Sequence, residues 1–321
     1  MSGVREIDHL LISPCPPPTA VREALDLGVV LILNLEPSCK DYYEEARKGG
    51  IVVLEYPMQP LGIRPIEEVN ELVRNVLQVM SSGKKVLIHS GDSVDDRCVT
   101  LAKMVLAAKG VKLEDVEGPQ SLVQELAVSW YTRLIELISV EELHLLYGIG
   151  KRYDFGAGLE HASTVANVSL DIASVLKDKL NLDEADLIAV YVSGLFHDIG
   201  RFYSERRHEE TGVEILRTHA KALRDLVDVE LVEFCIKHHR RHTKPFEDPL
   251  LESVGEKGLH LAAIVRLADS FTSVYSKEEY WGAYLEDDNL VIVARFVNKH
   301  RFGEKGKLME KASKIRPLIR S

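Results

Sequence analysis

Apolar positions along the chain recur with two different rhythms. Up to about residue 110, short apolar runs alternate with stretches of helical period. VVLILNL follows the helix-like AVREALDLG, IVVLEYPM comes next, and KKVLIHS follows a helix read from Ile66 to Met80. Short apolar runs bounded by turn residues read as buried strands, whereas a spacing of three to four residues reads as one face of a helix. Pro65 ahead of Glu67 and Glu68 marks the helix start, since a first-turn N–H has no partner to lose and acidic groups favour the positive end of the helix dipole. Gly83 marks its stop. This alternation predicts a small α/β sheet covered by helices.

Beyond Leu113 the pattern turns almost wholly helical. Apolar repeats run through Leu122 to Ile138, His161 to Leu176, Ala185 to His197 and Leu259 to Val274, so a boundary is expected near Val140 to Lys151. The end changes again: YWGAYLEDDNLVIVARF reads as two strands joined by an Asp/Asn turn, and Lys305 to Ile319 as a basic closing helix. The predicted organisation is an α/β domain over 1–140, an all-α domain over 141–278, and a β-hairpin with a basic C-terminal helix over 279–321.

Composition narrows the class. A chain of 321 residues, 45% of them hydrophobic, can bury a full core and has the length of two domains. The N-terminus MSGVREID lacks a charged-then-apolar signal pattern, and the longest apolar run, around GVVLILNL, is too short to span a bilayer. A cytoplasmic protein with no membrane contact is expected. The four cysteines, Cys15, Cys39, Cys98 and Cys235, form no C-x-x-C pair, so reduced thiols are expected. A formal charge of -10 argues against general nucleic-acid binding, although basic clusters still serve local phosphate chemistry.

The stretch KKVLIHSGDSVDDRCVTLAKMVL raises the first chemical question. With PPPTAVREALDLGVVLILNL and LEYPMQP, it resembles the dual-specificity protein phosphatases over about residues 5 to 140. That family's motif is H-C-x5-R, in which a thiolate attacks phosphorus while loop N–H groups and the arginine hold the phosphate. Here His89 matches, Ser90 stands where the cysteine should be, and Arg97 lies one residue too far along. Asp92, Asp95 and Asp96 would repel a phosphate, and no Asp in QPLGIRP is placed as general acid. The resemblance implies the fold, with a degenerate loop in which Asp92, Ser93 or Asp95 caps the helix beginning near Asp96.

A second constellation carries more chemistry. LEHASTVANVSLDIA, SGLFHDIGRFYSERRHEETGVEIL, FCIKHHRRHTKPF and AAIVRLADSFTS present His161, His197 with Asp198, His208, His238 with His239, and Asp269. Imidazole and carboxylate together suit Mn, Fe, Co, Ni or Zn, and the His-Asp step offers a carboxylate able to bridge two ions. A single histidine on an apolar helix is more often a hydrogen-bonded core residue. The ordered set of seven histidines and aspartates across one helical domain changes that weighting.

The set resembles the HD-domain metal-dependent phosphohydrolases over about residues 151 to 275, with HDIGRFYSERRH and KHHRRHTKP similar to the C-terminal domain of the exopolyphosphatase/guanosine pentaphosphatase family. HD-GYP phosphodiesterases share the pattern. The resemblance implies that His161, His197, Asp198 and Asp269 ligate a first metal, and that Asp198 with His208, His238 and His239 holds a second. His238 and His239 point about 100° apart on a helix, and the sequence does not choose between them. Ala157 occupies the place of the extra acidic ligand of trinuclear HD-GYP sites, which leaves two divalent ions, Mg included. Arg201, one turn beyond the His-Asp pair, is expected to clamp a phosphoryl oxygen, with Arg240, Arg241 and Lys244 as further phosphate-binding residues. The implied activity is hydrolysis of a small phosphorylated substrate, whether monoester, nucleotide or phosphoanhydride. A non-enzymatic sensor of phosphorylated ligands is the other class this pattern permits.

Overall fold

The computed structural model describes residues 4–91, 93–113, 116, 120–272, 275 and 279–321. The chain divides into two compact units, 1–136 and 137–321. The division falls ahead of the expected boundary, because Val140 to Lys151 is not a linker. It lies within a helix started by a capping box, in which Ser139 Oγ accepts from the Glu142 amide while the Glu142 carboxylate accepts from the Ser139 amide.

The first unit is a five-stranded sheet in the order β1-β2-β5-β3-β4. β1 (Arg5–Ile7) and β2 (Leu10–Ser13) form an antiparallel pair that the sequence reading passed over; β3 (Val29–Asn34), β4 (Val52–Glu55) and β5 (Lys85–His89) add in parallel. Alternation along the strands sorts the core. Leu11, Ile32 and Leu87 pack with Ala24 of α1 (Val21–Asp26) and Ala46 of α2 (Tyr43–Lys48). On the chain between and beyond these strands come α3 (Ile66–Ser81), α4 (Asp96–Ala108) and α5 (Leu122–Leu137). α3 and α4 pack against β5 and β2 respectively, and α3 buries Val69, Leu72, Val73, Val76 and Met80 at helical spacing. Parallel β5 thus delivers His89 and Ser90 to its C-terminal end, just before α4.

One expectation fails here. Cys15 and Cys39 are joined in a disulfide, while Cys98 and Cys235 are free and buried. The two partners stand 24 residues apart, and only the packing of the segment ahead of α1 against the segment after β3 brings them together.

The second unit is a helical bundle: α6 (Val140–Arg152), α7 (Leu159–Leu180), α8 (Glu184–Phe196), α9 (His208–Leu223), α10 (Val229–His238) and α11 (Leu251–Ala268). Asp183 and Asp186 form a second capping box at the start of α8. α7 and α8 approach closely because Gly194 has no side chain; a Cβ there would lie 2.7 Å from the Ala166 Cα. Val274, the expected end of the last helix, lies outside the described residues; α11 ends at Ala268.

The tail corrects a second expectation. β6 (Tyr280–Glu286) and β7 (Asn289–Ala294) pair antiparallel about Asp287, then α12 covers Lys299–Ser313, and β8 (Arg316–Arg320) adds to β7 in parallel. The closing helix therefore starts six residues earlier than expected and stops at Ser313, because Lys314 adopts a left-handed conformation. Nor is 279–321 a separate domain: α12 packs on α11 and β6 on α7. Among the described residues, no helix is long and apolar enough to cross a membrane.

Candidate metal centre

Three helix ends and two helix starts converge in the second unit. His161 stands in the first turn of α7, His197 follows the end of α8, and Asp198 comes next, ahead of a 3-10 turn over Ile199–Phe202. His208 opens α9, His239 caps α10 and Asp269 caps α11. Helix ends let neighbouring side chains turn inward without the fixed 100° step of a continuing helix.

Each of the four imidazoles is oriented by its own main-chain contact. Nδ1 of His161 faces the Thr272 carbonyl at 3.3 Å, that of His197 the Gly194 carbonyl at 2.7 Å, that of His208 the Glu205 carbonyl at 2.9 Å and that of His239 the Ile236 carbonyl at 2.6 Å. A carbonyl only accepts, so Nδ1 carries the proton in all four rings. Every Nε2 lone pair is left pointing inward.

Those lone pairs surround Asp198, which is buried. Its Oδ1 lies 3.1 Å from His208 Nε2 and 3.5 Å from His239 Nε2; its Oδ2 lies 3.4 Å from His197 Nε2 and 3.8 Å from His161 Nε2. Asp269 Oδ1 completes the second group, 3.5 Å from His161 and 3.8 Å from His197. In each group, His161–His197–Asp269 and Asp198–His208–His239, the donor atoms lie within 4.8 Å of one another. Metal bonds of about 2.0–2.2 Å place adjacent donors about 3.0–3.5 Å apart, so the spacing suits one ion per group.

The donor set asks for cations. His208 Nε2 and His239 Nε2 face each other at 3.1 Å with neither holding a proton to give, and His197 Nε2 is buried with no hydrogen-bond partner among the described residues. Burial holds the pKa of both His161 and His239 down to about 4, which keeps their lone pairs available.

Two predicted site residues fall elsewhere. His238 turns away from the centre: its Nε2 meets Asp248 Oδ2 at 2.8 Å, and its carbonyl accepts from Arg266 at 2.6 Å. One helical step separates it from His239, and only His239 shares the cluster. Lys244 is exposed and pairs with Glu247 at 2.8 Å, in a different groove. Arg201, Arg240 and Arg241 do line the cavity over the centre, which has a volume of about 350 Å³. Arg201 Nε stands 3.0 Å from Asp198 Oδ2, and Arg240 bonds Glu209 at 2.9 Å.

Two further residues escaped the sequence reading. Arg301 and Lys305, one turn apart on α12, both bind Asp269: Arg301 Nη2 reaches Oδ1 at 3.0 Å and Lys305 Nζ pairs with Oδ2. Burial lowers the pKa of Lys305 to about 7. The R-x-x-x-K spacing in KHRFGEK was the available signal, but a basic helix reads as a solvated face until α11 is known to lie beneath it.

Residues 158–273 match the HD domain family. HD domains belong to a superfamily of metal-dependent phosphohydrolases. All six residues of the centre lie within that span, and Arg301 and Lys305 lie beyond it. Among solved structures, the N-terminal part is similar to Tk-PTP in its active form, at 21% identity over 41% of this chain and 97% of that one, with a TM-score of 0.35. It is similar also to PTPMT1 in complex with PI(5)P, at 17% identity over 42% of this chain and 97% of that one, TM-score 0.38. TpbA of P. aeruginosa is similar at 19% identity over 46% of this chain and 91% of that one, TM-score 0.33. A comparison with curated proteins finds no match.

The loop after β5 has its own occupants. Ser90 is fully buried with Oγ 3.2 Å from Cys98 Sγ, and His89 Nε2 meets the Tyr42 hydroxyl at 2.6 Å. Asp95 caps α4 by accepting from the Arg97 amide at 3.0 Å, while Asp92 lies outside the described residues. The Arg97 guanidinium is spent on Asp95, on Glu36 at 3.0 Å and on the Met58 carbonyl at 3.1 Å. Carboxylates thus fill the places around the helix start where an anion would sit.

Proposed function

We propose that the protein is a metal-dependent phosphohydrolase acting at a dinuclear centre in its HD domain, with a non-catalytic phosphatase-like N-terminal unit. The single observation behind this reading is Asp198, each of whose carboxylate oxygens faces its own pair of unprotonated imidazole nitrogens. His161, His197 and Asp269 would hold one ion, His208 and His239 the other, and Asp198 would bridge them. Such ions supply charge neutralisation at a phosphoryl group and a water acidic enough to be a nucleophile near neutral pH. The chain itself supplies orientation: main-chain carbonyls hold all four rings, and Arg201 presents its guanidinium beside Asp198 toward a phosphoryl oxygen. Substrates in this reading are small phosphate esters, nucleotides or phosphoanhydrides.

A hydrolysis screen of such compounds with added Mn, Co, Ni or Mg, paired with elemental analysis, tests it. The expected result is chelator-sensitive turnover and close to two ions per chain. Asp198→Asn should cut turnover by more than about 100-fold, beyond the loss usual for groups that merely support a ligand, and should lower metal content. Protein that takes up no metal, or Asp198→Asn with wild-type turnover, would overturn it. Phosphate binding without turnover would favour the sensor.

A further inference from the structure

The HD-matching span ends at residue 273, yet one wall of the cavity comes from α12. We infer that Arg301 binds a second anionic group of the substrate, and that the preferred substrate is a small molecule carrying a phosphate besides the one that is hydrolysed. This rests on the phosphohydrolase reading and deepens it.

Charge balance is the first support. Arg201, Arg240, Arg241, Arg301 and Lys305, five cationic side chains, line the one cavity of about 350 Å³. Four carboxylates line it too, and two of these, Asp198 and Asp269, are committed to the metal groups. Arg240 is already paired with Glu209, so two divalent ions would leave a surplus of about four positive charges, whereas one phosphate monoester brings about two negative ones. A second phosphate brings the balance close to neutral.

Geometry is the second support. Both hydrogen bonds of Arg301 to Asp269, one to the carboxylate and one to the main-chain carbonyl, use Nη2. Neither bond uses Nε–H or the Nη1 amino group, and each of these can donate singly to a phosphate oxygen. The Asp269 contacts hold the guanidinium in place in advance, so little rotamer freedom is lost on binding. Arg201 is tied to Asp198 and Arg301, presented from α12, to Asp269, so the two guanidiniums stand beside different carboxylates of the centre. The two arginines thus divide the reacting phosphate from the retained one.

The test uses full-length protein reconstituted with Mn(II), titrated calorimetrically with methylenediphosphonate and with methylphosphonate, with metal content measured in each sample. Wild type should bind the diphosphonate at least tenfold more tightly. Arg301→Ala should bring the two ligands to within about threefold at unchanged metal content, and Arg301→Lys should fall between. Arg301→Gln, which keeps part of the aliphatic stem and an uncharged N–H donor, serves if the alanine variant misfolds, and should lose the advantage equally. No diphosphonate advantage in wild type, an advantage that survives Arg301→Ala, or loss of metal together with the advantage would each overturn the inference. If the chain takes up no metal, the phosphohydrolase reading falls separately. The same titration of metal-free protein then still decides Arg301: an advantage abolished by Arg301→Ala supports the anion site, and none refutes it.

Discussion

Replacing Gly156 by alanine should damage the centre from behind, without touching a single donor atom. Gly156 sits at φ +76° against the main chain of the His-Asp step, and an ideal Cβ there would stand 1.8 Å from the Asp198 carbonyl oxygen and 2.9 Å from the Ile199 nitrogen. Gly158, two residues on at φ +89°, has open space around its Cβ position. Both substitutions put a side chain on a positive-φ backbone that favours glycine, at a cost of about 1–3 kcal/mol. Only Gly156→Ala must also move packed main chain, which adds about 1–3 kcal/mol on the scale of overpacked cores. The difference between the variants thus isolates the contact with Asp198. The chain has two tryptophans, Trp130 in the first unit and Trp281 in the second, so urea denaturation followed by fluorescence in a Trp130→Phe background reports the second unit alone. Gly156→Ala should be the less stable by about 1–3 kcal/mol and should lose bound metal, because the Asp198 main chain has shifted. Equal destabilisation of the two variants, or full metal content in Gly156→Ala, would refute the reasoning.

Other outcomes follow from the first unit. Burial, acting against a contact from the Ser90 carbonyl, holds the His89 pKa down to about 4, below the ordinary 6.5. The unfolded chain therefore takes up that proton first, and first-unit stability should fall as pH drops from about 6.5 towards 4, by up to about 1.4 kcal/mol per pH unit. Trp130 fluorescence in a Trp281→Phe background measures this, and a His89→Gln variant with an undiminished slope would contradict it. Ser90→Cys should show no aryl phosphatase activity in excess chelator, since the new thiol stays buried and Arg97 stays bound to Asp95 and Glu36; chelator-resistant turnover would mean the loop still cradles phosphate. Cys39→Ser should lower first-unit stability by about 3 kcal/mol, the loop-closure value for a bridge of this span, and no change on oxidised protein would dismiss the Cys15–Cys39 bond as a stabilising link.

Local pattern determined much of this protein. Apolar runs marked β3, β4 and β5, Pro65 and Gly83 bracketed α3 to within a residue, and the ordered histidines and aspartates in a helical stretch pointed to a metal-binding HD domain. These are legible because strand and helix periods, caps and short motifs are written in neighbouring residues. The α4 cap was legible too, although among three candidates only the fold pointed to Asp95.

Tertiary structure alone decided the rest. Which of His238 and His239 enters the centre depends on how α10 is rotated against α9 and α11, and Asp248 was waiting for the other. Cys15 and Cys39 meet because two loops are packed together, a fact no spacing records. Arg301 and Lys305 looked like solvated charge until α12 lay on α11 and set them against Asp269, 32 and 36 residues away in sequence. Periodicity reports which face of an element is buried, but not what it is buried against. That choice is made by packing between elements far apart in the chain, where one side chain's partner is fixed by the positions of all the others.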